Sequence, residues 1–254
     1  MHARRIVWLV GVALIVALSA SVAARTYTSY YTCLPGNVTA VVVTNASVFD
    51  HEEAFSLTLY DAEGSLVHTV VSDLNSYESV VYFLNDLVEQ PSEYSWGSLI
   101  IESDVLLLAG VWIGTEAEWI SISNIHAQTL STEGFSIDYF WYGANYANTE
   151  NRRTGIALIN PGESEISGTA FVYDSSGALQ NYSDFMLVPH GSVFFKPESV
   201  FPVGENSWGL IDIRSTDPIV VATEYYDGEG TLLDVDIIDR VYYLQVQQSN
   251  NGDS

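Results

Sequence analysis

Ser95–Ser103 reads SWGSLIIES and Ser207–Ser215 reads SWGLIDIRS; the second stretch begins 112 positions after the first in a chain of 254 residues. Leu99 and Ile101 match Ile211 and Ile213, whereas Ser98, Ile100 and Glu102 match Leu210, Asp212 and Arg214. One alternating set excludes charge and the other accepts it. That is the pattern of a strand with one buried face and one wetter face. Trp96 and Trp208 open the two stretches and are read as core residues.

The match extends outward in both directions. Val41–Asn45 corresponds to Ile156–Asn160, Leu59–Leu66 to Val172–Leu179, and Val81–Phe83 to Val193–Phe195. Val105–Trp112 and Ile219–Tyr225 are both apolar runs ending in an aromatic. Five matched segments in one order mean an internal duplication. Tyr60-Asp61-Ala62-Glu63-Gly64 and Tyr173-Asp174-Ser175-Ser176-Gly177 read as hairpin connections. In these, Asp starts the turn by accepting from backbone amides and Gly takes a positive φ. Helix is scarce: Tyr82–Gln90 allows one short turn before Pro91, and its counterpart holds Pro197 and Pro202. The expected fold is all-β, two tandem, duplicated antiparallel β-sandwich modules after an N-terminal hydrophobic signal helix. The modules are placed at 27–130 and 135–246, with Gln128–Gly134 (QTLSTEG) as the boundary and 247–254 as a polar tail.

Residues 1–24 carry a short basic region (Arg4, Arg5), an apolar run Ile6–Leu18, and small residues ending at Ala23 and Ala24. This is the layout of a secretory signal peptide; the same segment is also long enough to serve as an uncleaved anchor. Either way the remainder is expected outside the cytoplasmic membrane, secreted or in the cell envelope. Membrane contact would occur only through that segment if it is retained. Asp and Glu total 32 against 8 Lys and Arg, a formal charge of −24. Such a chain repels phosphate backbones, so nucleic acid is excluded as a partner. The plain reading of the acidity is solubility. Cys33 stands alone and is read as a buried thiol.

The stretch TGIALINPGES…FVYDSSGAL…WGLIDIRSTDPIVVATEYYD (from Thr154) resembles modules of secreted bacterial proteins of unassigned function. It is also loosely similar to the small β-sandwich of the sensory rhodopsin transducer family. There too an alternating strand, a D-x-x-G hairpin and an ESD-P-hydrophobic strand follow one another. The resemblance implies a sandwich fold and a binding or assembly role, and it brings no catalytic residues.

Motifs for chemistry are sparse. His51, His68, His126 and His190 are scattered without metal-ligand spacing. Gly162-Glu163-Ser164-Glu165-Ile166 lacks the final glycine of a nucleophile elbow. No enzyme is expected. The one acid-dense stretch offers Asp227, Glu229, Asp234 and Asp236 as calcium ligands, against a solvated hairpin as the alternative. No other cofactor is indicated. Trp141, Tyr142, Tyr146, Tyr225 and Tyr226 are candidate ligand-binding aromatics, set against a role in core or inter-module packing. The expected function is a non-catalytic cell-surface or extracellular binding, adhesion or structural role, with a protein or glycan as partner. The alternative is a carbohydrate-recognition protein using exposed aromatics, with or without calcium.

Overall fold

The computed structural model describes residues 25–46, 53–88, 95–115, 117–125 and 139–238. The signal helix, the Gln128–Gly134 boundary, the polar tail, His51 and His126 lie outside them. Module 1 contains β1 (Arg25–Thr32), β2 (Asn37–Asn45), β3 (Glu53–Asp61), β4 (Leu66–Leu74), β5 (Ser79–Phe83), α1 (Leu84–Leu87), β6 (Trp96–Ser103), β7 (Leu107–Thr115) and β8 (Trp119–Ile125). Module 2 repeats the series as β9 (Phe140–Thr149), β10 (Arg152–Ile159), β11 (Ile166–Asp174), β12 (Leu179–Leu187), β13 (Ser192–Phe195), α2 (Pro197–Val200), β14 (Ser207–Ser215), β15 (Val220–Tyr226) and β16 (Leu232–Ile238). The fold is all-β, and every strand of module 1 has a counterpart in module 2.

In module 1, two four-stranded antiparallel sheets, β1-β6-β3-β4 and β5-β2-β7-β8, face each other. In module 2 the order β12-β11-β14-β9 runs on through the β9–β10 hairpin into β10-β15-β16, with β13 on the other side of β10. Strands β9 and β10 pair only at Arg152↔Thr149 and Arg153↔Asn148, so one sheet bends over itself into two facing halves. The facing layers bury Leu57, Leu59, Leu99, Ile101, Val111 and Ile113 in module 1 and Val172, Ile211, Ile213, Leu158 and Val221 in module 2. Each such side chain contributes about 1.5–3 kcal/mol when removed from water.

The turns form as the Asp and Gly spacing dictates. The Asp61 carboxylate accepts from the Ser65 amide (2.7 Å), and that of Asp174 accepts from the Ser176 and Ala178 amides (2.8 and 3.0 Å). Gly64 and Gly177 hold φ of 81° and 82°. A register shift follows at Leu59/Tyr60 and Val172/Tyr173. Both modules also carry a tyrosine latch. The Tyr27 hydroxyl accepts from the Leu107 amide (2.8 Å) and that of Tyr142 accepts from the Ile219 amide (2.7 Å). Each latch ties the first strand of its module to the facing sheet. Buried Asn45 and Asn160 donate to the Leu74 and Leu187 carbonyls at the ends of β4 and β12 (3.0 and 3.2 Å).

Two sequence expectations are corrected. Val43 pairs with Val80 and Leu158 with Val193, so the counterpart of Val193–Phe195 is Val80–Tyr82, one residue earlier than the apolar match suggests. Trp208 is 61% exposed rather than core. It shares the outward parity of Leu210 and Arg214, so the alternation that buries Ile211 and Ile213 turns it away from them. Trp96 has the same parity but is partly buried, because module 2 covers that face of module 1.

Candidate functional site

The five aromatics do not converge on one surface. Tyr142 and Tyr146 are sealed in the module 2 core. Trp141, opposite Arg214, lies on the outward face of β9 and is half-buried. Tyr225 is half-buried under the Arg152 guanidinium, whose carbon sits 4.2 Å from the ring centre. Tyr226 lies between the modules.

The acid-dense stretch is a third D-x-x-G hairpin. The Asp227 carboxylate accepts from the Glu229 and Thr231 amides (2.9 and 2.8 Å), and Gly230 takes φ of 90°. These amides, Thr231 foremost, hold its carboxyl below the usual range. In the matching turn of module 1, Thr115 Oγ1 accepts from the Ala117 and Glu118 amides (3.2 and 3.4 Å). Glu229, Asp234 and Asp236 are exposed. Among the described residues no three His, Cys, Asp or Glu gather as a metal site.

The strongest polar anomaly lies where the modules meet. The outer face of β1 and β6 in module 1 packs on the outer face of β13, β10, β15 and β16 in module 2. Trp96 lies between Tyr30 and Phe194 (ring centres 6.4 and 6.0 Å apart). Ala157, Ile159, Val220 and Ala222, all outward residues of module 2, join the module 1 core cluster. Polar contacts fix the alignment. The Ser192 amide donates to the Ala62 carbonyl (2.8 Å), Ser98 Oγ to the His190 carbonyl (2.9 Å), and Ser121 Oγ to the Val235 carbonyl (2.6 Å). The His190 ring stacks on Tyr60 (4.2 Å, 15°), with His190 at φ 57°. Gly64 meets this loop so closely that a Cβ would stand 2.2 Å from the Pro189 carbonyl oxygen.

Glu224 is buried in this seam at 1% exposure. Tyr226 donates its hydroxyl hydrogen bond to Oε2, while Oε1 has no partner among the described residues. Burial raises the Glu224 carboxyl above the ordinary range, against the opposing pull of the Tyr226 and Tyr30 hydroxyls and Lys196. The same burial, with the carboxylate beside them, raises both tyrosines. Glu224 is a lone acid inside the apolar run Val220–Tyr226, the one signal that could have marked it in the sequence. Cys33 is buried too, and burial pushes its thiol up to about 12, which leaves it inert.

Two open sheet faces are rich in apolar residues. Strands β2, β5, β7 and β8 contain no charged residue in a chain of net charge −24. Their outer face exposes Val81, Phe83, Leu108 (61%), Trp119 and Ile122 (66%). Phe83 stacks on Trp119, which meets Trp112 edge-on (6.3 and 5.6 Å between ring centres). At the other end, the outer face of β9, β14 and β11 exposes Trp208 and Leu210. The only outward charges on β14 there, Asp212 and Arg214, neutralise each other at 2.7 Å.

No family model matches this chain, and no curated protein does. Among solved structures, a Bacteroides uniformis beta-glucuronidase aligns over 86% of this chain and 26% of its own, at 11% identity and TM-score 0.18. A beta-glucuronidase from glycoside hydrolase family 2 aligns over 84% and 23%, at 10% identity and TM-score 0.18. A beta-glycosidase from Bacteroides vulgatus aligns over 86% and 26%, at 10% identity and TM-score 0.16. The chain spans about a quarter of each of these proteins, and similarity at this level carries no functional argument.

Proposed function

We propose that this protein is a non-catalytic structural or adhesive protein of the cell exterior that engages a protein partner through an apolar sheet face. The observation that carries the reading is the charge-free sheet β5-β2-β7-β8, with Phe83, Leu108, Trp119 and Ile122 turned to solvent. A strongly acidic protein that leaves one whole sheet uncharged presents a surface suited to desolvation by a partner. The aromatics of the seam, Tyr30, Trp96, Phe194 and Tyr226, are engaged in packing modules together, which favours the structural role over ligand capture. The exported location rests on the layout of residues 1–24.

The test is retention of residues 25–254 on the source organism's envelope fraction and on insoluble polysaccharides. Retention on the envelope, lost in Leu108→Glu, is the expected result. The Phe83–Trp119–Trp112 cluster supports a second reading, since stacked and edge-on rings suit sugar faces. Retention on one polysaccharide, lost in Trp119→Ala but kept in Leu108→Glu, would establish that reading instead.

A further inference from the structure

The duplication supplies two copies of each sheet face, and the seam uses one of each. Call the outer face of β1-β6-β3, and of its counterpart β9-β14-β11, the front. Call the outer face of β5-β2-β7-β8, and of β13-β10-β15-β16, the back. The seam joins the front of module 1 to the back of module 2. The two faces left open are the back of module 1 and the front of module 2, the same complementary pair. Resting on the structural reading above, we infer that the partner of the apolar face is a second copy of this chain, docked head to tail through a repeat of the internal seam.

The residue correspondence across the repeat supports this docking position by position. In the seam, His190 leaves the end of β12 at φ 57° and stacks on Tyr60. Its counterpart at the end of β4 is Tyr77, at φ 61° and 66% exposed. Tyr60 corresponds to Tyr173, so the external contact would stack Tyr77 of one copy on Tyr173 of the next. Trp96 packs on Phe194 in the seam; their counterparts, exposed Trp208 and exposed Val81, would meet between copies. Gly64 is pressed against the Pro189–Gly191 loop, while a Cβ added at its counterpart Gly177 would meet no atom within 4 Å, which leaves room for the equivalent loop of a neighbour. The two contacts differ in where they place polar groups: Ile100 of the seam corresponds to Asp212, which is paired with Arg214. Buried Glu224 corresponds to Trp112, and Tyr30 opposite it to Asn145. Such a pairing is heterologous, and a heterologous contact propagates into a ring or an open filament rather than stopping at a dimer. The net charge of −24 opposes stacking of copies at low salt, so association strengthens as salt screens it.

The experiment mixes two variants of residues 25–254 that each gain one cysteine, Tyr77→Cys and Tyr173→Cys, and oxidises them at about 1 M salt, where the Debye length is about 3 Å. Native Cys33 is buried and does not compete. The expected result is a cross-linked dimer in the mixture, roughly tenfold above either variant alone. The double variant should give a ladder, lost when Leu108→Glu is added. No cross-link in the mixture, or equal cross-linking of each variant with itself, overturns the head-to-tail contact. Envelope retention that depends on Leu108 without any mixed cross-link would sink this inference and leave the proposed function standing. A mixed cross-link without envelope retention would do the reverse for a foreign partner.

Discussion

The duplication offers a matched pair of tryptophans for testing the seam. Trp96 and Trp208 occupy equivalent positions on β6 and β14, but module 2 covers the first and solvent reaches 61% of the second. Trp96→Ala removes ring contacts to Tyr30 and Phe194, each worth about 0.5–1.5 kcal/mol beyond area burial. Full burial would put the loss at about 3–5 kcal/mol; for a partly buried ring about 2–3 kcal/mol is expected. Trp208→Ala, with no covering layer, should stay within about 0.5 kcal/mol. For a chain of this size the difference corresponds to about 4–10 °C in Tm. The assay is thermal unfolding by near-ultraviolet circular dichroism, at a dilution where the protein is monomeric, so that association does not stabilise the Trp208 site. Equal losses for the two variants, or a larger loss at Trp208, would refute the assignment of Trp96 to a buried seam.

Glu224→Gln should stabilise the protein at pH 7 by about 1–2 kcal/mol, because it replaces a carboxyl whose ionised form burial disfavours and whose Oε1 has no partner among the described residues. Burial raises this carboxyl in the folded state, so the native protein binds more protons than the unfolded chain in the window above about 4.3, and its stability falls as pH rises. The advantage of the Gln variant should therefore vanish near pH 4; denaturant unfolding across pH reads it, and a pH-independent advantage would contradict the burial. Tyr142→Phe should cost about 1–3 kcal/mol by orphaning the buried Ile219 amide, and Tyr27→Phe should cost the same through Leu107. Gly64→Ala should destabilise more than Gly177→Ala, since both strain a positive φ but only the first drives a Cβ into the Pro189 carbonyl; chemical denaturation of the two variants compares them.

Much of the fold was legible because strand parity and turn chemistry are local. Leu99, Ile101, Ile211 and Ile213 point inward as their alternation requires, and Asp61, Asp174 and Asp227 each close a hairpin. The sides of Trp96 and Trp208 were not legible from composition alone, since an aromatic suits either a core or a covered outer face. Nor could the sequence tell that module 2 would bury Ser98 and Ile100, the nominally wetter positions of β6, because that depends on contacts between residues about a hundred positions apart. Tyr142 and Tyr146 read as a binding strip or as core; the latch to Ile219 decides for the core in Tyr142. Asp227 read as a calcium ligand or as part of a solvated hairpin, because carboxylates in Gly-bearing loops serve both purposes; its Oδ1 accepts from the amides of its own turn.

Scanning calorimetry of residues 25–254 tests the seam most directly. Two sandwiches fastened through Tyr30, Trp96, Phe194 and Glu224 should unfold in one transition whose calorimetric and van't Hoff enthalpies agree. Two separable transitions, each with its own enthalpy, would mean that the modules are independent beads and that their covered faces do not hold them together.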